Sequence, residues 1–254
     1  MYPFERREKI LERLRVSGRI TIGNHARLLG VSISTLHRDL KELEKEGIIR
    51  KVRGGAVLAE SGRIDTHFDI RMKSRVEQKE EIARKAAAII RDDSSIFLDH
   101  SSTTVFLARE ISKRTYRNLI VLTNSLVTPT ELMEKKGVQV LLTGGAVEAE
   151  FKALSGRWVV DAFQRINLHQ IFVSVGAISP EQGLMTQVPF IHELLPALFE
   201  GMREINVLVD SSKFHKIGIF QLAPLRPGMT IFTDRELPWE TKAQLEKKGV
   251  KVIL

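Results

Sequence analysis

Apolar residues in the first sixty positions recur with the period of helices. Ile10, Leu11 and Leu14 predict a helix from about Phe4 to Val16, stopped by Ser17-Gly18. Ala26, Leu28 and Leu29 predict a buried face on a second helix, with Thr21 as its N-cap. Ile33, Leu36, Leu40 and Leu43 form one helical stripe and predict a third helix, about Ile33 to Glu46. Gly30-Val31-Ser32 between them predicts a sharp turn. Gly30 takes positive φ, Val31 plugs the interhelical angle and Ser32 caps the next helix. After Gly47, two short β-prone runs flank Gly54-Gly55, a hairpin signal.

Beyond about Asp92 the pattern changes. Short apolar runs at Ser95–Asp99, Asn118–Thr123, Val138–Thr143, Ile171–Val175 and Ile205–Val209 alternate with helical stretches, as in βαβ units. The small polar segment around Glu60–Thr66 reads as a linker. The expected organisation is residues 1–60 as a winged helix-turn-helix, 61–74 as a linker, and 75–254 as a larger α/β domain for effector binding and oligomerisation.

Charge sharpens this division. The 254 residues carry a net charge of +8, from 39 Lys+Arg and 31 Asp+Glu. Residues 1–60 hold 13 basic and 8 acidic side chains, so under a quarter of the chain carries over half the excess. The third helix turns Ser34, Thr35, His37, Arg38 and Lys41 outward, with Ser32 at its start. A helix, a glycine turn and a second helix with a polar, basic face make a helix-turn-helix, whose second helix enters the major groove. Arg50, Lys51 and Arg53 on the hairpin put charge near a phosphate backbone, as a wing does. Helix pairs with glycine turns also occur in plain bundles; the basic hairpin and the charge excess favour DNA.

Composition removes other classes. Without cysteine there is no disulfide scaffold, Cys-ligated zinc, iron–sulfur cluster or thiol nucleophile. No apolar run reaches the ~18–20 residues of a membrane span. The early charges at Glu5-Arg6-Arg7 leave no signal-peptide core, so a cytoplasmic location is expected.

In the second domain, polar or glycine residues recur where strands end, the edge at which open α/β sheets bind ligands. Ser101, Ser102, Thr103 and Thr104 lead into a helix as effector-binding candidates, and the last three can surround phosphate oxygens. Gly144 and Gly145 let backbone amides approach, and Lys213 adds a positive charge. Asp99 and Asn124 bond sugar hydroxyls or fix the loops, and Ser125, next to Asn124, is a further effector-binding candidate. Singly, each of these is an ordinary cap or turn; their recurrence at several strand ends argues for an anion site.

The series of motifs resembles a known family. Gly30-Val31-Ser32, Thr35, Arg38-Asp39-Leu40, Leu43, Gly47 and Arg53-Gly54-Gly55 are similar to the DNA-binding domain of DeoR-type bacterial transcriptional regulators. Asp99-His100-Ser101-Ser102-Thr103-Thr104, Thr123-Asn124-Ser125, Gly144-Gly145 and Asp210-Ser211-Ser212-Lys213-Phe214 match that family's effector-domain signatures in order. His37 stands where arginine is usual, Ser101 where glycine is usual, and His169 where an aspartate is usual. The resemblance implies an effector domain with a ribose-5-phosphate isomerase-like fold. It also implies a repressor of a sugar or related metabolite operon, controlled by a phosphorylated sugar.

That likeness raises a rival, a sugar-phosphate isomerase or deaminase fused to a DNA-binding domain. Its general base would be Asp99, Glu148, Asp210 or a histidine. His100, His169, His192 and His215 have no metal-ligand spacing, and no Walker, HExxH or Gly-x-Ser-x-Gly motif is present. An enzyme also has no use for a basic wing. A purely architectural DNA-binding protein would not need the α/β domain. The expectation is therefore a regulator without catalytic residues, metal or cofactor. Its partners are double-stranded operator DNA, a phosphorylated small molecule and further copies of itself as a dimer or tetramer, because one winged helix reads few base pairs.

Overall fold

The structure, a computed structural model, describes residues 6–7, 9–10, 13–14, 19–45, 49–58, 68–202 and 204–254. The chain divides into two compact units, Met1–Thr66 and His67–Leu254.

In the first unit, Arg6, Arg7, Lys9, Ile10, Arg13 and Leu14 are helical. The remainder of the expected first helix and its Ser17-Gly18 stop lie outside the described residues, as do Glu46, Gly47 and Ile48. Then come β1 (Arg19–Thr21), α1 (Ile22–Leu29), α2 (Ile33–Lys45), β2 (Ile49–Val52) and β3 (Gly55–Leu58). The strands pair antiparallel in the order β1-β3-β2. The core is Ile10, Leu14, Ile20, Ala26, Leu36, Leu40, Leu43, Ile49 and Ala56, with Val31 packed against it.

Gly30 is left-handed at φ 65°, and its N–H turns back to the Ala26 and Arg27 carbonyls. The hairpin turn is Arg53-Gly54, and Gly55 belongs to β3. A Cβ on Gly55 would lie 1.9 Å from the Ile20 carbonyl oxygen, so the approach of β1 to β3 requires glycine there.

Three expectations fail locally. Thr21 occupies the N-cap position, but its hydroxyl makes no capping bond; the residue is extended and paired in β1. That strand is three residues long, too short to register as a period. Leu28 is 66% exposed because it lies two positions, about 200° of helix rotation, from buried Ala26. Ile33 is 56% exposed, since it opens α2 one turn short of the core layer at Leu36.

The second unit begins earlier than residue 75. Residues 61–67 of the expected linker lie outside the described residues, but the next six form α3 (Phe68–Lys73). Phe68 is buried, with the Arg71 guanidinium 5.7 Å and the Lys152 ammonium 5.4 Å from its ring centre. An aromatic anchor thus converts the end of the linker into a docked helix.

The body of this unit is a seven-stranded parallel sheet. Its strands are β4 (Ser95–Leu98), β5 (Leu119–Thr123), β6 (Val138–Leu142), β9 (Gln170–Val173), β12 (Ile205–Leu208), β14 (Met229–Phe232) and β15 (Lys251–Ile253). Their spatial order is β15-β14-β12-β9-β4-β5-β6. Strand alternation sorts side chains to two faces. Ile96, Leu98, Phe172, Leu208 and Phe232 join a core with α4 (Val76–Ala87), α5 (Ser102–Lys113) and α6 (Thr128–Leu132). Phe97, Ile171, Val173, Val207 and Ile231 join the other, with α7 (Arg157–Arg165), α8 (Pro189–Phe199) and α9 (Trp239–Lys247). Burial on both faces explains the continuous apolar runs. Two smaller antiparallel sheets, not expected from the pattern, are β7 (Ala146–Glu148) with β8 (Ala153–Ser155), and β10 (Ala177–Ser179), β11 (Gly183–Thr186) and β13 (Phe220–Ala223).

From β4 the chain builds the sheet outward through β5 and β6, then returns to β9 on the other side and builds outward again. The order reverses between β4 and β9, and such a reversal opens a crevice at the carboxyl edge.

Candidate DNA-binding face and effector site

On α2, Ser34, His37, Arg38 and Lys41 are all exposed, at i, i+3, i+4 and i+7 of one face. Ser32 caps this helix: its Oγ accepts from Thr35 N–H at 3.1 Å and lies 2.8 Å from both the Ser34 and Thr35 hydroxyls. Thr35 is half-buried within this cap. The opposite face carries Asp39, buried, whose two carboxylate oxygens take both Nε and Nη2 of Arg6. That bidentate pair fastens the first helix behind α2. On the wing, Arg50 and Arg53 are exposed. Lys51 is partly buried and paired with Glu44 at 3.2 Å, while its backbone N–H donates to the same carboxylate. Glu44 is held below the usual carboxylate range by these two bonds from Lys51.

At the carboxyl edge of the large sheet, Asp99 organises the switch point. One oxygen accepts from Ser101 N–H at 2.9 Å and the Thr104 hydroxyl at 2.8 Å; the other accepts from Ser174 N–H, beyond β9, at 2.8 Å. Asp99 thereby ties the ends of β4 and β9 together. Ser101 is the N-cap of α5, accepting from Thr104 N–H. Its φ of −71° is ordinary, so this loop does not need the usual glycine. Ser101 and Thr104 are spent on the loop itself. Ser102 and Thr103 are different: among the described residues their hydroxyls have no partner, and their amides open α5, where first-turn N–H groups have none within the helix.

Asn124 and Ser125, expected at the ligand, are fully buried. Asn124 Nδ2 donates to Leu154 O at 2.9 Å, clamping β8, and Ser125 Oγ accepts from Val127 and Thr128 N–H groups at the start of α6. Gly144 and Gly145 both have positive φ, 73° and 127°. A Cβ on Gly145 would lie 2.4 Å from the Ser155 carbonyl, so packing against β8 already accounts for that glycine. His169 is structural, with Nδ1 accepting from Ser95 N–H at 3.1 Å.

Lys213 lies in the short 3-10 helix Ser211–His215 after β12. Its ammonium makes no hydrogen bond or ion pair among the described residues. Desolvation, then the nearby Lys216 charge, pushes its pKa down from 10.5 to about 8 against the pull of Asp210; Arg71 and Lys79 add to the fall. Asp210 caps this segment, accepting from Ser212 N–H at 3.1 Å, and meets Arg75 Nε at 3.1 Å. Burial works against its charge, but Lys213, the Ser212 hydroxyl and Arg75 hold it below the usual carboxylate range. β4 and β12 are separated only by β9, about 10 Å apart at ordinary strand spacing. The Ser102-Thr103 amides and Lys213 therefore share one edge. Among the described residues no group of three or more His, Asp or Glu is placed to hold a metal ion.

Comparison with known proteins agrees with this architecture. Residues 6–62 match the model of the DeoR-like helix-turn-helix domain, and residues 74–235 match that of the DeoR C-terminal sensor domain. The chain belongs to the DeoR family. It is 32% identical over 252 residues to the HTH-type transcriptional regulator GolR of Listeria innocua, covering 99% of this chain and 98% of that one. It is 31% identical over 252 residues to a putative aga operon transcriptional repressor of Escherichia coli O157:H7, covering 98% and 93%. Among solved structures, ribose 5-phosphate isomerase A of Methanocaldococcus jannaschii aligns with 56% of this chain and 55% of its own at TM-score 0.41 and 16% identity.

This DeoR-family chain is thus a DNA-binding transcriptional regulator with a helix-turn-helix domain and a small-molecule sensor domain. No helix among its described residues is long and apolar enough to cross a membrane. The residues missed by sequence reasoning are polar groups at the start of the sensor domain. Arg75, left-handed at φ 51°, meets Asp210, the Ser211 hydroxyl at 2.8 Å and Glu236 at 2.7 Å. Lys79 is buried, and its ammonium donates to the Arg71 and Ser74 carbonyls at the end of α3. A lysine on the buried side of a helix was the available signal.

Proposed function

We propose that this regulator represses a sugar or related metabolite operon in the cytoplasm. In this reading it binds operator half-sites as a homo-oligomer and is controlled by a phosphorylated sugar at the carboxyl edge of the sensor sheet. The observation that carries the reading is Lys213: a partly buried ammonium with no hydrogen bond or salt bridge among the described residues, Asp210 acting on it only at longer range, on the same edge as the unbonded hydroxyls and first-turn amides of Ser102 and Thr103. A phosphate dianion supplies the acceptors that all of these donors lack. Asp99, Ser101, Thr104, Asn124, Ser125, Gly144 and Gly145 shape the crevice around it.

No catalysis belongs to this reading. The carboxylates available as general bases are committed elsewhere: Asp99 to three donors, Asp210 to Arg75 and Ser212, and Glu148 to the Ser155 hydroxyl at 2.6 Å.

Control follows from linkage. Effector and operator oppose each other by one coupling free energy, typically ~1–3 kcal/mol. Inside the sensor domain this reading runs through Asp210: an anion drawing on Lys213 competes with Asp210, which is paired with Arg75 between α3 and α4. Thermal-shift and turnover assays with sugar phosphates test the proposal. Stabilisation without turnover is expected, with the shift abolished in Lys213→Ala and reduced in Thr103→Ala. Turnover refutes the sensor reading, and an undiminished shift in Lys213→Ala refutes the phosphate site.

A further inference from the structure

His100 stands between the Asp99 clamp and the Ser101 cap, yet its own side chain serves neither. It is 3% exposed, and both ring nitrogens are buried without a hydrogen-bond partner among the described residues. Its neighbours are aromatic: the Phe190 ring centre lies at 5.4 Å and that of Phe151 at 6.2 Å, with those two rings 5.1 Å apart, edge to face. The Arg71 guanidinium sits 5.5 Å from the Phe151 ring centre. His100 directly precedes the Ser101 cap and the Ser102-Thr103 turn that opens α5, which places its loop at the proposed anion site.

Contacts with Phe151 and Phe190 satisfy the carbon surface of the imidazole and neither nitrogen. Native proteins rarely leave buried polar atoms unpaired, and an exception beside a candidate site calls for a partner or a role. We infer that His100 reads a hydroxyl group of the bound effector, and so sets which phosphorylated polyol or sugar this regulator answers to. The inference rests on the phosphate site of the preceding section and adds its specificity element.

The chemistry favours a hydroxyl over the phosphate itself. Burial, with Arg71 nearby and against the pull of Asp99, brings the pKa of His100 from 6.5 to about 4, so the ring is neutral near pH 7. A neutral imidazole presents one donor and one acceptor. A phosphate dianion offers only acceptors and would face the lone pair of the second nitrogen. A hydroxyl is itself donor and acceptor and matches either nitrogen. The Phe151 and Phe190 rings then offer an apolar wall to the carbon-bound hydrogens of the same molecule.

The test is calorimetry on the full chain with two kinds of probe. One is inorganic phosphate; the other is a panel of glycerol 3-phosphate, ribose 5-phosphate, glucose 6-phosphate and fructose 6-phosphate. Wild type should bind at least one ester about tenfold or more tighter than inorganic phosphate, the scale of one well-made hydrogen bond. His100→Phe should keep the affinity for inorganic phosphate and bring the preference for that ester within about twofold. His100→Gln, which retains a donor and an acceptor, should keep part of it and covers the case in which His100→Phe does not fold. Full preference in the folded variants overturns the inference. If Lys213→Ala also loses inorganic phosphate in that experiment, the anion site stands and only the role of His100 falls. Failure of every probe to bind wild type removes the anion site, and His100's role with it.

Discussion

Lys213 makes the affinity for a phosphate ester depend on pH in a defined direction. Its pKa in the free protein is about 8, well below the ordinary lysine value of 10.5. The ammonium is therefore about nine-tenths charged at pH 7, half charged at pH 8 and about one-tenth charged at pH 9. A phosphate monoester, with its second ionisation near pH 6, is already a dianion across that window. The dianion favours the charged amine, so binding takes up a proton once the free amine begins to titrate. Affinity is then full below the free-protein pKa and declines as pH rises through it. Between pH 7 and pH 9 the apparent Kd should rise about tenfold through this residue alone. Calorimetry at pH 7, 8 and 9, with the ester that binds tightest, measures both the Kd and the proton uptake. In Lys213→Gln the Kd should be weaker at pH 7 and nearly flat with pH. A flat wild-type profile, or an equal slope in wild type and Lys213→Gln, would refute the reasoning.

Three further outcomes are expected. Arg38→Ala should cost operator binding ~1–3 kcal/mol while sparing random DNA; equal losses on both would assign Arg38 to the phosphate backbone. Each true phosphate contact on the wing contributes ~0.9 to the log–log salt slope. Lys51 must leave Glu44 to make one, so Lys51→Gln should change the slope less than Arg50→Gln, and the reverse order in a salt titration would discard the Glu44 argument. Finally, His100 titrates near 6.5 when unfolded and about 4 when folded, so the unfolded state binds more protons between those values. Stability is lost as pH falls through that window, by roughly 3 kcal/mol in total. Urea unfolding at pH 7 and pH 4 should show this component in wild type and not in His100→Phe; identical losses in both would contradict it.

Much of the winged helix was legible because its core obeys a simple period. Leu36, Leu40 and Leu43 are fully buried or nearly so, and the Gly30 turn and the Ser32 cap follow from local chemistry. What the period could not supply was the end of each stripe. Leu28 and Ile33 have the right residue type, but burial depends on what stands opposite, and among the described residues nothing covers them. β1 was invisible for a related reason. A three-residue strand becomes a strand only by pairing with β3, a partner more than thirty positions away.

In the sensor domain the strand ends were legible, but the division of labour among their polar residues was not. Ser101, Ser102, Thr103 and Thr104 look equivalent in one dimension. In the fold, Asp99 sorts them: it takes the Ser101 amide and the Thr104 hydroxyl, and helix geometry leaves Ser102 and Thr103 as the pair with donors to spare. Asn124 and Ser125 are likewise drawn inward by β8 and α6. His100 and Lys213 carry a different lesson. Neither spacing nor composition distinguishes a buried histidine with both nitrogens unpaired from one that is hydrogen-bonded, or a lysine without an ion partner from a paired one. The distinction arises from packing brought together across the chain: Phe151 and Phe190 around the ring, Arg71 near both residues, and the return of β9 and β12 beside β4. At this edge the hydroxyls and first-turn amides of Ser102 and Thr103 and the Lys213 ammonium are donors suited to an anion, beside one imidazole suited to a hydroxyl and the buried Asn124 Oδ1, an acceptor also left without a hydrogen-bond partner among the described residues.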